Sequence, residues 1–227
     1  MMTVPNPVRL FHITAIANLA GICSANCLCS KNVGQLVGIN YQNIAHQGAQ
    51  GARSVRSVPN PPGGVVHDYV PFYFAPRSPM LSAIDNGKVA GCQWRQSDIV
   101  HFETSVERVI AGNRPFVFYD RNATLAISNP YTDLARLDSV AWDLLTETPR
   151  LDGFCKYFHD RMDNPRYVDR REKRQAEFLV KDVVSLDCII RIGVANEGRA
   201  IEVRDILDQA GVSLPVEVKS DWYFLGQ

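Results

Sequence analysis

The chain has 227 residues, of which 46% are hydrophobic, with 24 basic and 24 acidic side chains. This length predicts one large domain or two closely joined ones, with a core large enough to fold unaided. The hydrophobic fraction excludes a disordered chain, six Cys are too few for a disulfide scaffold, and zero net charge excludes a globally basic nucleic-acid binder. No apolar run reaches membrane-spanning length, so we expect a cytoplasmic protein with reduced thiols.

The first third of the chain predicts a short helix, a loop and a strand, in that order. Thr14 can cap a short helix whose apolar residues share one face. Residues 57–64 hold three prolines and two adjacent glycines, a composition that is typical of a surface loop. The aromatic run at 69–75 then predicts a strand, despite the proline at position 71.

The rest of the chain continues with short helices and strands. Thr104 or Ser105 can cap a helix that Gly112 ends, and residues 198–211 have the apolar spacing of a second helix. Strands are predicted at 115–119, 177–180, 188–194 and 215–218. Short strands that alternate with short helices and long irregular connections indicate an α+β fold rather than a doubly wound parallel sheet.

The segment from 120 to 174 has few helix or strand signals and many charges near its end. A connection of this length in a compact domain is usually functional, for example as a lid or a binding loop. Its last part, RYVDRREKR at 166–174, holds five basic and two acidic residues, with Tyr167 among them. This run predicts a local phosphate-binding surface, and the alternative is an ordinary solvated start of a helix.

Common catalytic motifs such as Walker, GxGxxG, GxSxG and HExxH sequences are absent from the chain. His12 precedes a predicted helix start, where free N–H groups suit an anionic cofactor, although a packed or capping His is the alternative. Glu177 lies among Ala, Phe, Leu and Val, which predicts burial. A buried carboxylate costs free energy unless it is paired, so Glu177 is a candidate catalytic residue.

A set of longer motifs in a fixed order resembles the DarT-type DNA ADP-ribosyltransferase toxins. The strongest are HDYVPFYFAPRSPML at 67–81 and EKRQAEFLV at 172–180. Supporting segments are HIT at 12–14, TSVERV at 104–109, FVFYDRNA at 116–123, YTDLARLD at 131–138 and WYF at 222–224. Together they span essentially the whole chain, which makes the resemblance far more specific than a single short pattern.

The resemblance implies an ADP-ribosyltransferase fold, in which two small packed β-sheets with flanking helices surround an NAD cleft. Members of the family consume NAD and place ADP-ribose on a base of single-stranded DNA, typically thymine in a short sequence context. They are normally encoded beside a macrodomain antitoxin, DarG, that removes the modification. We therefore expect a single domain over residues 1–227, with a substrate-binding loop region at 119–169.

The resemblance also implies a catalytic pair of one glutamate and one arginine. The glutamate maps onto Glu177, because RQAEFLV surrounds it intact. The arginine-rich run of the family is reduced here to GARSVRSVP at 51–59. Counting back from the Val-Pro pair favours Arg53, and Arg56 is the rival.

Cofactor and substrate contacts are implied in the same way. The predicted NAD contacts are His12, Ile13, Thr14, Gly21 and Arg53. The predicted DNA-binding residues are Tyr131, Tyr167, Arg170, Arg171 and Arg174. No ligand set for a metal ion is evident in the sequence.

Several alternatives stay open on the sequence alone. The acceptor could be guanine rather than thymine, or RNA or a protein, with the same NAD chemistry. A catalytically inactive binding module for NAD or nucleic acid is a different class of function, and the intact Glu177 argues against it.

Overall fold

The computed structural model describes residues 3–39, 41–45, 47–147 and 162–224. The strands of these ranges are β1 Arg9–Ala15, β2 Cys27–Cys29, β3 Tyr69–Tyr73, β4 Ile99–Ser105, β5 Phe116–Tyr119, β6 Pro130–Tyr131, β7 Glu177–Lys181, β8 Val183–Ser185, β9 Arg191–Val194 and β10 Val216–Val218. The helices are α1 Leu19–Ala25, α2 Lys31–Leu36, α3 Gln47–Val55, α4 Pro79–Asp85, α5 Val106–Ile110, α6 Trp142–Leu145, α7 Arg170–Lys173 and α8 Glu197–Gln209. No helix in the described ranges has both the length and the apolar character needed to cross a membrane.

The main sheet has the strand order β10-β9-β4-β1-β3-β7-β5-β6, and β2 pairs with β8 in a small second sheet. Neighbouring strands of the main sheet are antiparallel, except for the parallel pair of β9 and β10. Helices and strands alternate along the chain without the repeated crossovers of a doubly wound sheet. The α+β class is therefore confirmed.

The main sheet is weakly joined at its centre, between β1 and β3. These strands share one register pair, Phe11 with Tyr73, whereas β1 pairs with β4 from Arg9 to Ala15. Pro71 of β3 has no N–H to donate to a neighbouring strand. Its carbonyl instead accepts a hydrogen bond from Nδ1 of His12 at 2.8 Å. The main sheet thus consists of two four-stranded halves that share this one register pair, and in place of the two small sheets expected the protein has one eight-stranded sheet and a small two-stranded one.

Both faces of the main sheet are covered by core side chains. Along β1, Leu10 belongs to the largest apolar cluster, while Phe11 and Ile13 belong to a second one on the opposite face. This alternation is what a central strand needs. In the second cluster Trp222 lies over Gly193 of β9, where a Cβ atom would approach the indole ring to 2.2 Å. A side chain at position 193 would therefore displace the C-terminal segment from the sheet.

The local signals of the sequence have mixed outcomes. Ser105 is the cap of α5, since its side chain accepts the N–H of Arg108. The prediction that Thr14 caps a helix is wrong, because Thr14 lies within β1 and its hydroxyl accepts a hydrogen bond from Asn18. Strand β4 was not predicted: all seven of its residues are buried, including the charged Glu103 and the polar His101, which do not mark a core strand in the sequence. Helix α3 was also not predicted, because it has no buried residue.

Candidate active site

A cleft of about 500 Å³ opens where the two halves of the main sheet part. His12, Ile13 and Thr14 of β1 line it, and contacts of these three residues with NAD stay a prediction. Other lining residues are Asn18, Gln42, Gln50, Arg53, His67, Pro71, Tyr73, Met80, Lys88, Asn122, Thr124, Arg171, Gln175 and Glu177. Segments that are far apart in the sequence therefore meet at this one cleft.

Glu177 is the first residue of β7 and is 2% exposed. It lies in register with Tyr73 on one side and Tyr119 on the other. Its Oε1 accepts the backbone N–H of Ala123 at 2.8 Å. Its Oε2 is 3.0 Å from Nη1 of Arg53. The carboxylate can be buried because its charge is paired and hydrogen-bonded.

The two candidate arginines have different partners. Nη1 of Arg53 contacts both carboxylate oxygens of Glu177, at 3.2 and 3.0 Å. Arg56 instead donates from Nε to the carbonyl of Ala123 at 3.1 Å and from Nη2 to the carbonyl of Leu125 at 3.3 Å. The geometry therefore puts Arg53, and not Arg56, against the carboxylate.

The tyrosines beside Glu177 stay protonated at neutral pH. Burial, reinforced by the charge of Glu177, raises the pKa of Tyr73 far above its ordinary value. Burial also raises the pKa of Tyr119, with a smaller contribution of the same sign from Glu177. The carboxylate thus lies between two neutral phenols. Within the described residues, Arg53 is its only side-chain hydrogen-bond partner, and this partner is positively charged.

His12 is held as a neutral ring in the wall of the cleft. Burial lowers the pKa of His12 to about 4, against an ordinary value of 6.5. Because a carbonyl oxygen can only accept, the contact with Pro71 fixes the proton on Nδ1. Nε2 is then a hydrogen-bond acceptor, available to a donor group of a ligand.

Asn18 connects β1 to the segment 41–45 and was not singled out by the sequence. Its Nδ2 donates to Oγ1 of Thr14 at 2.9 Å and to the carbonyl of Gln42 at 3.0 Å. Its Oδ1 accepts the backbone N–H of Gln42 at 2.6 Å. Its only signal in the sequence is that it is an amide within the mainly apolar run 13–22. In the structure, this buried amide holds one wall of the cleft in place.

Gly21 lies on α1 in a hollow next to the cleft, and not in the cleft itself. This hollow has a volume of about 490 Å³ and shares Asn18 and Tyr41 with the cleft. A Cβ atom at Gly21 would lie 3.5 Å from Cγ2 of Ile39, an ordinary contact distance. A contact between Gly21 and NAD stays a prediction.

Two of the predicted DNA-binding arginines lie inside the protein. Arg170 is 5% exposed, its Nη2 is 2.6 Å from Oε2 of Glu147, and its guanidinium lies 4.0 Å from the ring centre of Tyr167. Arg174 is 3% exposed and donates to the carbonyl of Leu144. The prediction that Arg170 and Arg174 form an exposed basic surface is wrong, because acceptors that are distant in sequence bind them internally.

The other predicted DNA-binding residues are more accessible. Arg171 is exposed and lines the cleft beside Gln175. Tyr131 is half-buried on the edge strand β6 and stacks on Phe118, with ring centres 5.2 Å apart. The half-buried Tyr167 contacts Glu147 through its hydroxyl at 3.3 Å. DNA contacts by these three stay predictions, and residues 148–161 of the expected loop region lie outside the described residues.

Polar residues around Glu177 form a part of the site that the sequence did not reveal. Asn122, Thr124 and Gln175 line the cleft, and Nδ2 of Asn122 donates to Oε1 of Gln175 at 3.0 Å. Single polar residues in loops have no distinguishing pattern, so only their position identifies them. Within the described ranges, no group of three or more His, Cys, Asp or Glu side chains could hold a metal ion.

Comparison with known proteins matches residues 11–224 to the family described as ssDNA thymidine ADP-ribosyltransferase, DarT. A DNA ADP-ribosyl transferase of Thermus sp. (strain 2.9) is 36% identical over 224 residues, which cover 98% of this chain and 99% of that protein. The structure of Thermus sp. 2.9 DarT in complex with ADP-ribosylated ssDNA has a TM-score of 0.85 at 35% identity and covers 98% of this chain and 99% of that one. The same protein in complex with NAD+ has a TM-score of 0.82 at 34% identity, covering 98% of this chain and 100% of that one. The fold and the resemblance are confirmed, and this chain belongs to the DarT family of ADP-ribosyltransferases.

Proposed function

We propose that this protein transfers ADP-ribose from NAD to the thymine base of single-stranded DNA and releases nicotinamide. One observation carries the proposal: the buried pair of Glu177 and Arg53, with Nη1 3.0 Å from Oε2, borders a cleft large enough for a dinucleotide. Buried charges in a cleft are candidates for chemistry rather than for stability. Membership of the DarT family supports the same reaction.

The lining of the cleft suits NAD as the co-substrate. Its volume of about 500 Å³ is in the usual range of ligand sites, roughly 300–1,000 Å³. Ile13 and Met80 offer apolar surface for a flat ring, and Thr14, Asn18 and His12 offer polar groups for hydroxyl and amide functions. A few placed polar groups on mainly apolar walls are typical of a cofactor site.

We assign Glu177 the stabilisation of the transition state. Breaking the bond between nicotinamide and ribose develops positive charge on the ribose ring, as in glycoside hydrolysis. A carboxylate beside the ring attracts this charge more strongly as it grows, so it favours the transition state over bound NAD. The hydrogen bonds from Ala123 and Arg53 orient the carboxylate before the substrate binds.

We assign Arg53 a second role at the same reacting centre. Its guanidinium can bind a phosphate or carboxylate with two parallel hydrogen bonds, which orients the substrate. In the transfer, the ribose C1 loses nicotinamide and bonds to a ring nitrogen of thymine, and that nitrogen passes its proton through the Glu177–Arg53 pair to the solvent. A cation beside Glu177 stabilises the negative charge that deprotonation places on the base.

The acceptor is expected to be an unpaired base. A ring nitrogen on the pairing edge is inaccessible in a stacked duplex, so the nucleotide must be single-stranded or extruded. Asn122, Thr124 and Gln175 surround Glu177 with groups that can hydrogen-bond to a base edge. Arg171 at the rim and Tyr131 on β6 are our candidates for phosphate contact and for base stacking.

Incubation with NAD and matched acceptors, followed by mass spectrometry, tests the proposal. The acceptors are one oligonucleotide as a single strand and as a duplex, a version in which guanine replaces each thymine, the corresponding RNA, and a protein mixture. We expect ADP-ribose on the single strand that contains thymine, with matching release of nicotinamide. Equal labelling of the duplex would contradict the base-access argument, and labelling of guanine, RNA or protein alone would identify a different acceptor.

The proposed reaction also suggests where and with what the protein works. The reaction needs both DNA and NAD, so we propose that the protein works in the cytoplasm. A macrodomain antitoxin of the DarG type, which removes ADP-ribose from the base, is the protein partner that membership of this family suggests.

A further inference from the structure

Arg56 lies outside the cleft, yet it holds the loop that orients the catalytic carboxylate. Its Nε donates to the carbonyl of Ala123 at 3.1 Å and its Nη2 to the carbonyl of Leu125 at 3.3 Å. The N–H of the same Ala123 donates to Oε1 of Glu177 at 2.8 Å. Ala123 is fully buried, so this amide has little access to water as an alternative partner.

The backbone of Arg56 is itself tied to two other elements. Its N–H donates to the carbonyl of Ala52 in α3 at 3.1 Å, and its carbonyl accepts the N–H of Val66 at 3.0 Å. Helix α3 also carries Arg53, the other hydrogen-bond donor to Glu177. Arg56 therefore stands between the two groups that bind the carboxylate.

We propose that Arg56 is a positioning residue for catalysis: by holding the carbonyls of Ala123 and Leu125, it aims the Ala123 N–H at Glu177. The proposal rests on the proposed function for its activity readout. A planar guanidinium holds two carbonyls of one loop at fixed geometry, whereas the ammonium of lysine, on a flexible stem, holds them less rigidly. Loss of this fork lets the loop move, and the carboxylate then loses a charge-assisted hydrogen bond from a backbone amide.

The consequence is specific to the chemical step. Arg56 does not line the cleft, and the loop that it holds contributes Asn122 and Thr124, which we assign to the acceptor base and not to NAD, so KM for NAD should change little. An oriented carboxylate matters most when positive charge develops on the ribose. Removal of Arg56 should therefore lower kcat for transfer roughly tenfold, with KM for NAD within about twofold of wild type.

The test compares wild type with Arg56→Met, Arg56→Lys and a matched control, Arg114→Met. Arg114 also donates from its guanidinium to a loop carbonyl, that of Val183 at 2.8 Å, but it does not line the cleft. Transfer to a single-stranded oligonucleotide gives kcat and KM. Hydrogen exchange, resolved to single amides within residues 122–125, reports the Ala123 amide.

We expect faster exchange at 122–125 and a lower kcat in Arg56→Met, partial recovery in Arg56→Lys, and neither effect in Arg114→Met. The proposal would be overturned by an unchanged kcat in Arg56→Met, or by a rise in KM for NAD that accounts for the whole loss of kcat/KM. An equal loss of kcat in Arg114→Met would overturn it as well. If wild type fails to modify DNA, the proposed function is wrong, while the exchange measurement still decides whether Arg56 holds the Ala123 amide.

Discussion

Glu177 is the residue on which the proposed chemistry depends most directly. Glu177→Gln keeps the size of the side chain and an acceptor for the Ala123 N–H, but it removes the negative charge. We expect transfer to fall at least about 1,000-fold, because the developing charge on ribose loses its partner, while the Kd for NAD changes only a few-fold. Mass spectrometry of labelled oligonucleotides and calorimetric titration with NAD measure the two effects.

The matched control for this substitution is Glu202→Gln. Glu202 is an exposed carboxylate on α8, and its Oε2 is 2.6 Å from Nη1 of Arg199. Its substitution by Gln should leave transfer unchanged. Undiminished transfer by a folded Glu177→Gln protein would refute the catalytic assignment.

Arg53 is the second residue whose contribution can be isolated. Arg53→Ala removes the only guanidinium that the structure puts against Glu177 in the described residues. We expect transfer to fall by roughly 30- to 1,000-fold, which corresponds to about 2–4 kcal/mol of lost transition-state stabilisation. Arg56→Ala should cost less, because it acts only through the loop at Ala123. A larger loss in Arg56→Ala than in Arg53→Ala, measured as kcat/KM, would reverse these two roles.

At the scale of elements, the short helix α7 divides its basic residues between surface and interior. Arg171 points to the rim of the cleft, while Arg170 is paired with Glu147 and covered by Tyr167. Arg171→Ala should weaken binding to a single strand and reduce the slope of log affinity against log salt by about 0.7, one phosphate contact. Titrations at several salt concentrations measure this slope, and an unchanged slope would remove Arg171 from the DNA surface.

Arg170→Ala should have the opposite profile. It leaves Glu147 without its closest cation, so the free energy of unfolding should fall by roughly 1.5–3 kcal/mol. The salt slope of DNA binding should stay as in wild type, because Arg170 is buried. Denaturant unfolding together with the same salt titration separates the two arginines, and a changed slope without loss of stability would contradict the internal role.

At the scale of the whole molecule, His101 joins β4 to two distant segments. It is fully buried, with Nε2 3.1 Å from the carbonyl of Pro76 and Nδ1 3.2 Å from the hydroxyl of Tyr223. Burial lowers the pKa of His101 from 6.5 to about 4. As the pH falls, the unfolded chain therefore takes up a proton before the folded protein does.

This order of protonation sets a direction for stability. The neutral, buried His101 contributes its full stabilisation of the folded state above about pH 6.5, and this contribution is lost as the pH falls towards 4. We expect up to about 3 kcal/mol less stability at pH 4 from His101, with His12 adding an effect of the same sign. Denaturant unfolding from pH 7 to 4 measures the trend, and His101→Gln should flatten it. An equally steep trend in that variant would assign it to other groups.

Features that depend on neighbouring residues could be predicted from the amino-acid sequence. A helix cap at 104 or 105, helix α8 and the strands near 116, 177, 191 and 216 follow from local signals that hydrogen bonds and apolar spacing impose within a few residues. The family resemblance identified His12, Ile13, Thr14 and Glu177 as candidate site residues, because the motifs around them match the family without interruption. These parts were predictable without knowledge of the fold.

The partners of similar basic residues, in contrast, follow from long-range contacts in the fold. Arg53 and Arg56 are three positions apart in one basic run, and their roles depend on Glu177 and Ala123, which lie 124 and 67 positions away. Arg170 is a similar case. Its basic surroundings in the sequence predict a surface position, but its hydrogen bond to Glu147, 23 positions away, holds it in the interior. A side chain's direction depends on the free energy of its long-range contacts, and local sequence does not contain these partners.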